Sequence, residues 1–355
     1  MRTMLVSAGA LALSFTLAEA EVQRSAFTVH SDLGIEIAIR EVINTDAART
    51  GDPVILLHGA RVPGIPSFDL DVPGGSLAAD LAGEGLAVYI VDLRGYGAST
   101  RPADMSKPRA ASTPLVRSGA AVRDLGAAVD AVLSRTGAGK TAILGWATGG
   151  HWAGMYAAFE PEKVSKVVFY NTLYGYSPGH PVIGRGSRVA DPDNPEQFNL
   201  ERFQNYRLNT AESLLPGWDR SIPIDDKAAW RDPAVAEAYV AAALSSDTTS
   251  EERDPPSFRA PSGAMLDSFL IAKGAALWDA RLIEADALIV RSGNDFWSRP
   301  EDVDMLKTHL DARGFGSAEV VEIPEATHFV HLDRDERGRA DFAAGVSAFL
   351  RGGAD

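Results

Sequence analysis

The chain has 355 residues, with 34 Lys and Arg against 48 Asp and Glu, and a formal net charge of −14 with its histidines neutral. A balance this acidic argues against a nucleic-acid partner, a polyanionic substrate or an anionic membrane surface, each of which calls for a basic face. The absence of cysteine excludes a disulfide framework, a thiol nucleophile and a cysteine-ligated metal, and 45% hydrophobic residues suit one large globular α/β domain with an insertion or two small domains.

Residues 1–20 read as an export signal. Arg2 precedes an apolar run over residues 4–17, and Ala18-Glu19-Ala20 has the small-residue pattern of a cleavage site. The run is too short for a spanning helix, so the expectation is a periplasmic or secreted protein, residue 21 onward. Next, Phe27-Thr28-Val29-His30 and residues 35–40 alternate apolar and polar around Ser31-Asp32-Leu33-Gly34. That pattern predicts a hairpin with one wet face, at the edge of a sheet.

The pattern then changes. Residues 54–57, 86–91, 142–144, 167–169 and 288–290 are continuous apolar runs, as expected of parallel strands covered on both faces. Between them, Val122, Leu125, Val129, Val132 and Leu133 recur at helical spacing, and the glycines at 137 and 139 close that helix. Strands alternating with helices predict an α/β fold with a doubly wound, mostly parallel sheet of six or more parallel strands behind an antiparallel edge. Over residues 174–273 the alternation stops, with helix-like pieces around 229–244 and 265–277. Lying between two sheet strands, this stretch is expected to fold over their carboxyl ends as a mainly helical lid, leaving 21–173 and 274–355 as the core. A strand near 287, a helix over 300–313, a strand over 318–323 and a helix over 339–351 complete the chain.

The stretch Ile143-Leu144-Gly145-Trp146-Ala147-Thr148-Gly149-Gly150-His151-Trp152 reads as a buried strand, a tight glycine turn and a helix start. Glycines at 145 and 149 flank a strained corner whose side chain points out over the sheet, the arrangement of a Gly-x-Ser-x-Gly nucleophile elbow. The nucleophile slot holds Ala147, which has no attacking atom. His58-Gly59-Ala60-Arg61 follows the first buried strand. Asp92-Leu93-Arg94-Gly95-Tyr96-Gly97-Ala98-Ser99-Thr100-Arg101-Pro102 follows the second, Arg291-Ser292-Gly293-Asn294-Asp295 closes the strand near 287, and Glu325-Ala326-Thr327-His328-Phe329-Val330-His331 follows the last strand.

With these motifs in this order, the chain from residue 54 onward resembles the α/β-hydrolase superfamily, in particular serine esterases and lipases with a lid. The resemblance implies a triad of nucleophile position Ala147, acid Asp295 and base His328, in the order nucleophile–acid–base. It implies an oxyanion hole from the backbone amide of Ala60 or Arg61 with that of Thr148. Asp295 would accept from Nδ1 of His328 and stabilise the imidazolium. His331 competes with His328, and Asp302 and Asp304 compete with Asp295, but those two carboxylates read as charges early in a helix. Asp92 and Arg94 read as loop buttresses. Two departures stand out: no proline precedes the strand near 287, and Thr327 occupies a position usually held by glycine.

Trp146, Phe296 and Trp297 are expected to line or flank a pocket, with Trp152 beside it. Trp218 and Trp230 are expected to reach an apolar acyl or aryl group from the lid. Arg61 reads as a solvated arginine, with carboxylate recognition the alternative. His30, His180 and His309 read as structural, and His151, on the helix after the corner, as structural or as a support behind the site. The run Gly137-Ala138-Gly139-Lys140-Thr141 lacks the earlier glycine of a phosphate loop, and Asp191-Pro192-Asp193-Asn194 lacks the rest of a calcium loop, so neither a metal nor a cofactor is expected. The expected partner is a small-molecule or oligomeric ester. Ala147 leaves three readings open: an inactivated serine hydrolase, a natural binding protein without a nucleophile, or a His–Asp base acting directly on water or a substrate proton. Amide, lactone and C–C bond hydrolysis remain alternatives to ester cleavage.

Overall fold

The alternating N-terminal residues form an antiparallel hairpin, β1 (Val22–His30) with β2 (Glu36–Asn44), whose outer strand is largely exposed. The computed structural model describes residues 22–175 and 179–352, so the export signal expected over residues 1–20 lies outside the described residues. The apolar runs become β3 (Val54–Leu57), β4 (Val88–Val91), β5 (Thr141–Trp146) and β6 (Val164–Tyr170). They are followed by β7 (Tyr206–Thr210), β8 (Ser257–Pro261), β9 (Asp286–Asn294) and β10 (Ala318–Thr327).

Eight strands form one sheet in the order β1-β2-β4-β3-β5-β6-β9-β10. The strands from β4 to β10 run parallel, and β2 joins them antiparallel through β4. This is the mostly parallel α/β sheet expected from the sequence. Every residue of β3, β4 and β5 is buried, because helices cover both faces and leave no wet side for a polar residue. The helix Ser118–Thr136 stops where predicted: Gly137 adopts φ +72° and its amide closes on the Leu133 carbonyl.

Between β6 and β9 the chain leaves the sheet. This insertion carries the helices Leu200–Phe203, Ala211–Ser221, Pro233–Ser245 and Gly263–Ala272, together with the antiparallel ribbon β7–β8. The ribbon was not anticipated, because β7 is half-exposed and mixes charged with apolar residues, leaving no apolar run to read.

Strand register fixes what emerges together at the carboxyl edge. Leu57 pairs with Gly145, so the loops after β3 and β5 leave side by side. Trp146 pairs with Tyr170, and Asn294 pairs with Thr327, so the next residues of β9 and β10, Asp295 and His328, are neighbours by construction. Ligands bind in this crevice of open α/β sheets.

Candidate active site

Ala147 sits at the corner between β5 and the helix Thr148–Phe159 with φ +53° and ψ −115°. An L-residue reaches that region only at a cost of about 1–3 kcal/mol, so the surroundings must impose it. They do so through the flanking glycines. A Cβ on Gly149 would lie 2.2 Å from the Leu57 carbonyl oxygen, and one on Gly145 would lie 2.4 Å from the backbone of Gly149 and Gly150. The helix start therefore presses on β3 and β5 without room for a side chain, and the Ala147 amide is held by the Tyr170 carbonyl at 2.8 Å.

His328 and Asp295 meet as expected, with Nδ1 of the ring 2.6 Å from Oδ1 of the carboxylate. The Asp295 side chain is fully buried and also accepts from the amides of Trp297 at 3.0 Å and Ser298 at 2.7 Å. A carboxylate only accepts, so Nδ1 carries a proton, and in the neutral ring the lone pair falls to Nε2. Three donors converge on the His328 carbonyl: the Tyr170 hydroxyl at 2.9 Å, the Trp146 indole at 3.1 Å and the Asn171 amide at 3.4 Å. The ring itself lies among Trp146, Phe296 and Phe329.

The competing residues are occupied elsewhere. His331 is buried, bonded to the Tyr170 hydroxyl at 2.9 Å, and pushed down to about 3 by burial and by His328, so it stays neutral. Asp304 is exposed, while Asp302 is buried and accepts from the amides of Tyr174 and Arg299. His151 bonds the Trp278 indole, His180 bonds the Trp297 carbonyl, and His309 bonds the Tyr174 hydroxyl. Asp92 accepts from the amides of Gly64 and Ala98, and Arg94 pairs with the fully buried Asp124, which makes both loop supports.

The departure at Thr327 has a local reason. Its hydroxyl donates to Asp333 at 2.6 Å and accepts from the Phe329 amide, pinning the turn that carries His328. Asp333, which also accepts from the Trp218 indole at 2.8 Å, escaped the sequence reading. Its signal was a carboxylate two residues after His331, a place no catalytic role drew attention to.

One cavity of about 480 Å³ joins these parts. Ala147 and His328 line it, as do Ala60, Arg61 and Thr148 of the expected oxyanion hole and Trp146, Phe296 and Trp297 of the expected pocket wall. The amides of Ala60, Arg61 and Thr148 make no hydrogen bond within the protein among the described residues, leaving donors beside the corner. Two expectations fail. Trp218 is fully buried, stacked 4.9 Å from Phe329, and Trp230 is buried under Arg337, so neither indole lines the cavity. Arg61 is no solvated side chain: it donates to Asn209 at 3.0 Å and to the Ser213 hydroxyl at 2.9 Å, tying the loop after β3 to the insertion. Among the described residues no cluster of acidic or histidine side chains is built to hold a metal ion.

The sequence model of the family described as alpha/beta hydrolase fold matches residues 52–335. Among curated proteins none matches the chain in sequence. Solved structures of similar fold include the esterase RhEst1 from Rhodococcus sp. ECU1013, at 18% identity and TM-score 0.57, covering 93% of this chain and 100% of that one. A thermophilic esterase from Thermogutta terrifontis aligns at 19% identity and TM-score 0.56, covering 93% and 98%. E-2-(acetamidomethylene)succinate hydrolase aligns at 18% and 0.56, covering 92% and 99%. At such identities the likeness speaks to fold alone.

Proposed function

The chain belongs to the α/β-hydrolase fold family, and from that premise we propose that its site is that of a Ser–His–Asp hydrolase cleaving a carboxylic ester, silenced by alanine in the nucleophile slot. With serine at position 147, Nε2 of His328 takes the hydroxyl proton as Oγ attacks the acyl carbon. The oxyanion then accepts from the amides of Thr148 and of Ala60 or Arg61. His328 returns the proton to the leaving alcohol, and water repeats the sequence on the acyl-enzyme. Asp295 holds the tautomer throughout.

The observation that carries this reading is the corner itself. Ala147 keeps φ +53° in a turn built by Gly145 and Gly149, although an alanine gains nothing from being displayed there. Such strain belongs to sites where geometry serves chemistry. Esterases stand among the solved structures of similar fold, as do hydrolases acting on other bonds, so the bond cleaved is left to the experiment.

The experiment is to measure hydrolysis of p-nitrophenyl acetate by the Ala147→Ser protein. The reading predicts turnover orders of magnitude above the chain as it stands, abolished again by His328→Ala. An Ala147→Ser protein inert toward esters, amides and lactones would favour a binding protein without a nucleophile. We also read residues 1–20 as a cleaved export signal, which N-terminal sequencing of secreted material checks by a start at Glu21.

A further inference from the structure

Six arginines line the cavity: Arg61, Arg109, Arg188, Arg202, Arg207 and Arg220. No aspartate or glutamate lines it, and among the described residues none of the six stands in an ion pair. Elsewhere in the protein many arginines are matched with buried carboxylates. Asp247 takes Arg253 and Arg259, Asp69 takes Arg24 and Arg40, and Asp124 takes Arg94. In a chain of net charge −14, an unmatched cationic lining is a local inversion.

The six divide by what they touch. Arg61, Arg109 and Arg207 donate to neutral acceptors that fix their place. Arg109 holds the carbonyls of Tyr206 and Arg202, and Arg207 holds those of Ala60 and Pro261. Arg188, Arg202 and Arg220 are exposed at the rim, and among the described residues their guanidinium groups donate to no protein acceptor. Arg202 lies over Phe203 and Arg220 over Phe296, the latter beside His328.

Arg188 is the meeting point. Partial burial and the cations of Arg202 and Arg220 depress its pKa, and its own charge acts on both Arg61 and Arg207. Arg207 is pushed down to about 10 by burial and by Arg61 and Arg188. Gathering like charges in a partly desolvated space destabilises the folded chain, and an anion brought among them relieves that repulsion. Guanidinium groups suit an oxyanion through paired N–H donors.

We propose that the substrate of this site bears a carboxylate remote from the bond that is cleaved, and that Arg188, with Arg220 and Arg202, anchors it at the cavity rim. The inference rests on the hydrolase reading for the bond and on the arginine geometry for the anion. It also revises what the overall charge suggested: the surface repels polyanions, while the cavity selects a small anion.

The chain as it stands cannot turn an ester over through position 147, so binding is read directly by calorimetry with monomethyl glutarate and its neutral counterpart, dimethyl glutarate. The monoanion is expected to bind about tenfold tighter or more, as charge-assisted hydrogen bonds provide. Arg188→Gln is expected to bring the two within about twofold, with Arg220→Gln read in parallel if the first variant fails to fold. Arg185→Gln, on an exposed arginine paired with Glu196 outside the cavity, should keep the preference. Equal affinity for the two esters, an undiminished preference in both rim variants, or equal competition by inorganic phosphate would overturn the proposal. Hydrolysis of p-nitrophenyl acetate by Ala147→Ser reports separately on the hydrolase reading. Turnover without anion preference removes only the carboxylate anchor, and anion preference without turnover removes only the hydrolase.

Discussion

The indole N–H of Trp146 donates to the carbonyl oxygen of His328 at 3.1 Å, so the residue before the Ala147 corner also holds the loop carrying His328. Two segments separated by 182 positions in sequence are thereby set relative to one another by one bond. Their relative placement decides whether a proton can pass between them, and errors near 1 Å cost about 100-fold in rate.

Trp146→Phe in the Ala147→Ser protein should therefore lower kcat by roughly 10- to 100-fold. Stability should fall as well, since the smaller ring leaves part of a buried indole's space unfilled, while the Tyr170 hydroxyl and the Asn171 amide still hold the same carbonyl. Steady-state kinetics with thermal melts decide the matter. A fall in Tm with unchanged kcat would make the bond structural only.

Asp295→Asn in the same protein should reduce kcat by about 10⁴-fold while the fold persists. An asparagine can donate its amide to Nδ1, and that turns the proton of His328 onto the wrong nitrogen. A small loss, near tenfold, would mean that Asp295 does not set the tautomer.

Ala147→Gly should stabilise the chain or leave it unchanged. Relief of strain at φ +53° returns about 1–3 kcal/mol, against roughly 0.5–1 kcal/mol of added backbone entropy in the unfolded state. Urea titration measures the difference. Clear destabilisation would show that the corner is not strained.

The pH dependence of stability has a defined sign. Burial pushes Asp333 up to about 7, against hydrogen bonds from Thr327 and Trp218 that favour its charge. Burial likewise pushes Asp302 up to about 7, against the amides of Tyr174 and Arg299. With unfolded values near ~4, both groups hold their protons longer in the folded state. Their contribution is complete below about pH 4 and is lost as pH rises through about 7. Tm should fall between pH 5 and pH 8, and Asp333→Asn should remove about half of that slope, since two groups share it. Parallel curves for the parent and Asp333→Asn would contradict the assignment.

That Ala147, Asp295 and His328 come together was readable from sequence because each part is local. Continuous apolar runs marked the buried strands, Gly145 and Gly149 marked the corner, and Asp295 and His328 each follow a strand directly. What escaped depends on contacts across long separations. Trp218 was read as a substrate contact because its burial against Phe329 and its bond to Asp333 come from a loop 115 residues away. Arg188, Arg207 and Arg220 drew no reading from the sequence, since only the folded insertion gathers them around the cavity that Ala147 lines. Arg61 reaches Ser213 across 152 residues, a separation no local pattern encodes.

The central claim is that position 147 is a nucleophile slot served by His328. It is tested most directly by the mass of the Ala147→Ser protein after exposure to an organophosphonate ester. The account predicts one covalent adduct on the peptide containing position 147, lost when His328→Ala is added. No adduct, or an adduct that forms equally well without His328, would contradict it.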